Sequence, residues 1–241
     1  MTDALSGYRA AWQRKPILRT LYNDIFARIA ERCVPGTTLE IGGGIGNLKE
    51  RIGDLISSDI QYAPWLDLVA DAQKLPFADG AISNIVMLDV LHHIEFPSLL
   101  FREASRVLRD GGRIVMVEPG ISLGSRPFYL LHHEPVDLSV DPLTEGAPDA
   151  SRDPYASNQA IPTLLVTKYR DAFHRKFSQL SIRDADWFAF VAYPASGGFK
   201  RWQLMTEPMA RAVLWIERCL ERALGRFFGF RILIVVEKRT R

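Results

Sequence analysis

Four glycines in five positions, Gly42 to Gly46, constrain this chain more than any other stretch. They follow T-T-L-E-I, a short apolar run with β-branched character, and precede N-L-K-E-R-I, which can begin a helix. Strand, glycine loop and helix in that order bring a nucleotide-like ligand against bare main chain. Glycine suits the loop because a Cβ would hold the ligand off the amides and block left-handed backbone angles. A glycine cluster alone also fits a tight turn that only saves space. The next strand sharpens the reading: L-I-S-S-D-I carries Asp59, where a carboxylate can accept both hydroxyls of a ribose.

The G-x-G-x-x-G pattern of dinucleotide-binding folds fails here, since its last place falls on Asn47 or Lys49. What stands instead is E-x-G-x-G-x-G, from Glu40 to Gly46. Between Pro35 and Pro119, and weakly in the final strand, the chain resembles the class I S-adenosylmethionine-dependent methyltransferases, in particular their small-molecule, type 11-like branch. The resemblance implies an α/β fold: a doubly wound, Rossmann-like sheet of seven mostly parallel strands, an antiparallel last strand and an inserted lid. It also implies S-adenosylmethionine as cofactor. Its methionine end would lie over Glu40, Gly42, Gly43, Gly44 and Gly46, its ribose on Asp59, its adenine by Asp71 and Ala72, with Asp89 close by. For Asp71 a plain turn cap is the competing reading.

At 241 residues the chain suits one domain, 1–241, with an N-terminal helical cover over 1–34 and an inserted lid or substrate segment over 121–161. A net charge of +2 gives no argument for nucleic acid as a partner. Cys33 and Cys219 lack metal-ligand spacing and suggest no disulfide framework, which fits a reducing cytoplasm. The N-terminal residues lack the apolar core of a signal peptide. No run approaches the ~20 apolar residues of a membrane span.

Periodicity predicts helices over Pro16–Cys33, Phe96–Leu108, Pro162–Phe177 and Glu207–Phe228. Strands are expected at Leu66–Ala70, Ala81–Leu88, Gly112–Pro119, Ser181–Tyr193 and Arg231–Glu237. Tyr193–Phe199 reads as a glycine-rich turn. The last helix has an apolar stripe through Met209, Val213, Ile216, Leu220, Leu224 and Phe227, with arginines off it. Such a helix can lie on a membrane; packing of the stripe on the sheet is the expectation.

The strand ending at Leu88 runs into D-V-L-H-H-I, so Asp89, His92 and His93 fall at a strand's carboxyl end, where ligands gather in doubly wound sheets. His92 is the first candidate for a general base. His132 and His133, in the irregular segment before Glu134, are the others. Glu118 closes the following strand, as a wall of the substrate site or a tie for the next loop. No metal site is expected, because side chains of adjacent histidines diverge and the H-E-x-x-H spacing is absent. The function implied is methyl transfer to a small-molecule acceptor such as a hydroxyl. The alternatives are a partner protein that binds S-adenosylmethionine without turnover, and an NAD-dependent oxidoreductase, against which the failed third glycine argues.

Overall fold

The computed structural model describes residues 3–130, 134–149 and 151–240. Two helices open the chain, α1 (Asp3–Arg14) and α2 (Pro16–Arg32), with Pro16 in the first turn of the second. Strand β1 (Thr38–Ile41), the glycine loop and β2 (Leu55–Asp59) come next. The helix expected after the loop is only a single 3-10 turn, Leu48–Glu50. Gly53 and Asp54 stop it, and few residues separate the loop from β2.

Beyond them lie β3 (Leu68–Val69), shorter than expected, β4 (Ile82–Leu88), α3 (Pro97–Val107) and β5 (Leu108–Pro119). Among the described residues of 121–160 there is one short helix, α4 (Arg126–Leu130). The single helix predicted over Pro162–Phe177 is two, α5 (Ile161–Val166) and α6 (Arg170–Lys176), because Thr167 leaves helical geometry. Strand β6 (Leu180–Phe188) also ends early. Ala189 takes a positive φ of 61°, and Tyr193 lies in α7 (Ala192–Ser196) rather than in a strand. Helix α8 (Glu207–Phe228) and β7 (Arg231–Lys238) complete the chain.

The strands form one seven-stranded sheet in the order β3-β2-β1-β4-β5-β7-β6. The β1–β2, β1–β4, β2–β3 and β4–β5 pairs are parallel, and β7 runs antiparallel between β5 and β6. The central strands are apolar on both faces because helices cover both. Ile85, Met87, Ile114, Met116, Ile232 and Ile234 face one core, which includes Leu100 and Phe101 of α3. Val86, Val115, Val117, Leu233 and Val235 face the other, with Ile25, Phe26 and Ile29 of α2. Alternation along each strand divides its residues between the two layers.

Helix α8 is rotated from its expected orientation, with Val213 and Leu224 of the stripe half-buried and Val213 packed on the core. Its buried residues are Ala210, Glu217 and Gly225, while Met209, Ile216, Leu220 and Phe227 are exposed. The reason is close approach: a Cβ on Gly225 would lie 2.2 Å from the carbonyl oxygen of Trp187 in β6. Glu217 turns inward to accept hydrogen bonds from the amides of Val191 and Ala192, at 2.6 and 2.8 Å. An apolar stripe of bulky side chains does not fit so near a backbone.

The glycine-rich turn after α7 binds a cation. The Lys15 ammonium, between α1 and α2, donates to the carbonyls of Ser196, Gly198, Lys200 and Trp202 at 2.7–3.0 Å. Burial lowers the pKa of Lys15, but four carbonyls hold the charged form. The N-terminal helices are thereby tied to the far end of the sheet.

Candidate active site

The glycine loop leaves the carboxyl end of β1 and is packed on one side only. A Cβ on Gly42 would lie 2.3 Å from Val90, one on Gly43 2.3 Å from Ser57 Oγ, and one on Gly46 2.8 Å from Trp65. At Gly44, with a φ of 48°, the nearest atom to such a Cβ would be 3.9 Å away. The loop's back is therefore filled and its front at Gly44 is open, a cradle for a ligand lying against main chain.

Asp59 is drawn to the same bend. Its Oδ2 accepts from the Gly44 amide at 3.0 Å and its Oδ1 from the Gln61 amide at 3.0 Å. A carboxylate has about four acceptor positions, so both oxygens keep capacity for hydroxyl donors. Glu40 is buried behind the loop, beside Ser57. Burial pushes its carboxyl up to about 7. The fold therefore favours the protonated form. Stability tied to Glu40 is complete at low pH and falls as pH rises through about 7. Glu40→Gln is expected to abolish that fall, as read by thermal unfolding across the range.

Asp71 closes a local turn, accepting from the Gln73 amide at 2.8 Å, and Ala72 belongs to the core. The turn-cap reading of Asp71 is thus fulfilled, and the lone pairs left over remain open to a ligand.

At the end of β4 the groups crowd together. Asp89 takes a positive φ of 59°, strained for a residue with a side chain. Its Oδ1 lies 2.6 Å from Nη1 of Arg231 at the start of β7. Arg231 is only 2% exposed, yet its Nε and Nη2 have no hydrogen-bond partner among the described residues. The Tyr193 ring centroid is 5.0 Å from its guanidinium carbon. Arg231 belongs to no motif in the sequence; the sign available there is an arginine opening an otherwise apolar buried strand.

Glu118, fully buried, holds the histidine turn. Its Oε1 accepts from the amides of Val90 and Leu91 at 2.9 and 2.8 Å, and its Oε2 lies 2.6 Å from Nδ1 of His92. It is a tie for the loop rather than a wall of the site. With Nδ1–H directed at a carboxylate, Nε2 of His92 carries the lone pair that can accept a proton, 3.9 Å from Oε2 of Glu134. Burial pulls the His92 pKa down, but the hydrogen bond and charge of Glu118 outweigh it and leave it raised.

The rings of His92 and His93 do not diverge. Their centroids are 4.2 Å apart, and His92, His93 and Glu134 offer ligand atoms within 4.8 Å of one another, a donor set that fits a divalent ion. The expectation of no metal site therefore loses its geometric ground. His132 and His133 lie outside the described residues.

Two segments meet above these groups. The Arg9 guanidinium of α1 stacks 4.1 Å over the ring of Trp65, whose Nε1 donates to the Gly44 carbonyl at 2.8 Å. From the 121–161 segment, the Tyr155 hydroxyl reaches Gln61 at 3.5 Å, and Ser157 Oγ and Gln159 Nε2 donate to Glu134.

Comparison with known proteins agrees with this arrangement. Residues 39–116 match the family model described as a methyltransferase domain. A 27-O-demethylrifamycin SV methyltransferase of Amycolatopsis mediterranei strain S699 is 33% identical over 72 residues, 30% of this chain and 23% of that protein. An uncharacterised 37.1 kDa protein from transposon Tn4556 of Streptomyces fradiae is 45% identical over 51 residues, 21% of this chain. The chain spans less than a quarter of either relative, 15% of the second and 23% of the first. Among solved structures, an S-adenosylmethionine-dependent methyltransferase of Thermotoga maritima superposes with a TM-score of 0.51 at 13% identity, over 89% of this chain and 88% of that one. The [4+2]-cyclase SpnF superposes with a TM-score of 0.50 at 16% identity, over 90% of this chain and 81% of that one. At such identities the likeness concerns fold alone. Strand order, glycine loop and matched segment agree: residues 39–116 match a methyltransferase domain, and the chain has the fold of class I S-adenosylmethionine-dependent methyltransferases.

Proposed function

We propose that this chain transfers the methyl group of S-adenosylmethionine to a hydroxyl of a small-molecule acceptor. The observation that carries the reading is Asp59 bonded to the Gly44 amide beside the open front of the glycine loop. Glu40, Gly42, Gly43, Gly44 and Gly46 form the bed for the methionine end; Asp59 accepts the ribose hydroxyls; Asp71 and Ala72 flank the adenine; Asp89 closes the site. When bound, the cofactor supplies an activated methyl on a sulfonium, so the protein's main task is alignment. Alignment alone can be worth ~7–11 kcal/mol in favourable cases.

His92 takes the acceptor's proton at Nε2, and Glu118 fixes the tautomer that leaves Nε2 unprotonated. Tyr193 and Arg231 stand beside Asp89 as the polar end of the acceptor site. Residues 1–34 and 121–161 act as cover and lid; support comes from the Arg9–Trp65 stack and the Tyr155–Gln61 contact. A cytoplasmic location and a second role for His132 or His133 as base belong to the same reading.

The cofactor assignment is tested by calorimetry. Asp59→Ala is expected to weaken S-adenosylmethionine binding by about 10–100-fold, through lost hydrogen bonds to a charged acceptor. NADH should give no thermal shift. Unchanged affinity in the variant removes the site as placed. Turnover is tested by S-adenosylhomocysteine release over a panel of hydroxyl acceptors; binding without release on any acceptor favours the non-catalytic partner. A second reading has its own support in the convergence of His92, His93 and Glu134: these three would hold a divalent ion, which would supply a Lewis acid for the acceptor oxygen. Inhibition by a chelator, reversed by added metal, would select it over the histidine base.

A further inference from the structure

We propose that Arg231 binds a carboxylate of the acceptor, so that, on the methyl-transfer reading this rests on, the substrate is a hydroxy acid. A guanidinium is a planar fork with five N–H donors and no acceptor. Nη1 of Arg231 is spent on Asp89 Oδ1 at 2.6 Å and stands 3.5 Å from the Tyr193 hydroxyl. Nε and Nη2 form another edge of the fork, and both lack a partner among the described residues. Their N–H groups run parallel, at the spacing of the two oxygens of a carboxylate.

Pairing with Asp89 does not account for this edge. Buried polar groups in folded proteins are nearly always hydrogen-bonded, and a buried charge most of all. An arginine serving only to neutralise Asp89 would hold two further donors out of water with nothing to meet them. The Tyr193 ring, with its centroid 5.0 Å from the guanidinium carbon, packs against the fork. Burial raises the pKa of Tyr22 and Tyr193, and Asp89 adds to it, so both phenols stay neutral. They can donate to an anion and do not compete with it for the guanidinium.

The edge also lies where an acceptor would need it. Asp89 joins it to the base: one oxygen contacts Arg231, and a carboxylate oxygen comes within 4.8 Å of a ring nitrogen of His92. A hydroxyl at His92 and a carboxylate at Arg231 therefore belong to one small molecule spanning Asp89. Both free donors are closed to water, so an anion enters with movement of the cover. Tyr8 of α1, 40% exposed and electrostatically coupled to Asp89 and Glu134, is part of that cover. An acceptor without the acid leaves the fork unmet, which is how a buried polar site rejects the wrong substrate.

Calorimetry tests the proposal on the full chain, with and without S-adenosylhomocysteine. Acetate and benzoate are titrated against acetamide and benzamide, neutral analogues of the same shape. Each acid should bind about tenfold or more tighter than its amide. Arg231→Lys keeps the charge beside Asp89 but not the fork, and should weaken the acids about tenfold while S-adenosylhomocysteine affinity is retained. Arg231→Gln, folded by circular dichroism, should bring acid and amide to the same affinity. Acids that bind the unsubstituted chain no better than their amides overturn the proposal, whatever the variants do. So does acid binding that both folded variants leave unchanged, or inorganic phosphate binding tighter than either acid. A chain that binds S-adenosylhomocysteine but no acid loses only the carboxylate site; one that binds the acids but no S-adenosylhomocysteine loses only the methyl-transfer reading.

Discussion

Glu118→Gln is expected to slow methyl transfer by about 10²–10⁴-fold and to move the acid limb of its pH profile downward. Both effects come from one bond, between Glu118 Oε2 and His92 Nδ1 at 2.6 Å. A base works in its unprotonated form, so the rate rises as pH passes the pKa of His92, which lies above the ordinary histidine value. Removing the carboxylate charge leaves burial as the dominant influence and lowers that pKa. The limb then appears at lower pH. The plateau falls because glutamine has one oxygen, which can accept from the Val90 and Leu91 amides or from His92 Nδ1–H but not from both, so the tautomer with a bare Nε2 is no longer enforced. Steady-state kcat against pH reads both effects, with calorimetry showing that cofactor affinity is retained. An unmoved limb and an undiminished plateau would remove His92 as the base.

Lys15→Met is expected to cost about 3 kcal/mol or more of stability. The side chain is similar in length, but four inward carbonyls lose a charged donor at once, and hydrogen bonds to charged groups contribute ~1.5–3 kcal/mol each when considered singly. For a chain of this size that corresponds to a melting temperature lower by about 6–12 °C. Differential scanning calorimetry measures it. The loss should fall hardest on the N-terminal helices, so proteolysis ought to nick the variant near α1 before the sheet opens.

The parallel half of the fold is legible in the sequence because its strands are short runs of β-branched residues that end in chemistry: Ile41 before the glycines, Asp59, Leu88 before Asp89, and Glu118. Each lies at a strand's carboxyl end, as the motif implies. The stretch beyond the glycine loop is less legible. N-L-K-E-R-I has helical composition, but Gly53 and the approach of β2 leave room for a single turn. The rotation of α8 from its expected orientation has a different origin. Periodicity locates two stripes on a helix but does not say which faces inward; Gly225 decides it, by admitting the Trp187 backbone to a distance no larger residue tolerates. At the candidate site, Asp59 and Gly44 are adjacent in space and close in sequence, and a known spacing finds them. Arg231 and Asp89 are joined only by the antiparallel insertion of β7, which no local pattern reports.

That insertion orders events during synthesis. The strand that supplies Arg231 is made after both of the neighbours between which it wedges. Until it arrives, β5 shows an unpaired rim and β6 has no ladder to join, so the nascent chain must keep both from pairing with strangers. A chain cut short after Phe230 would lose the guanidinium beside Asp89 together with the join between two parts of its sheet, and stability and chemistry would fail together.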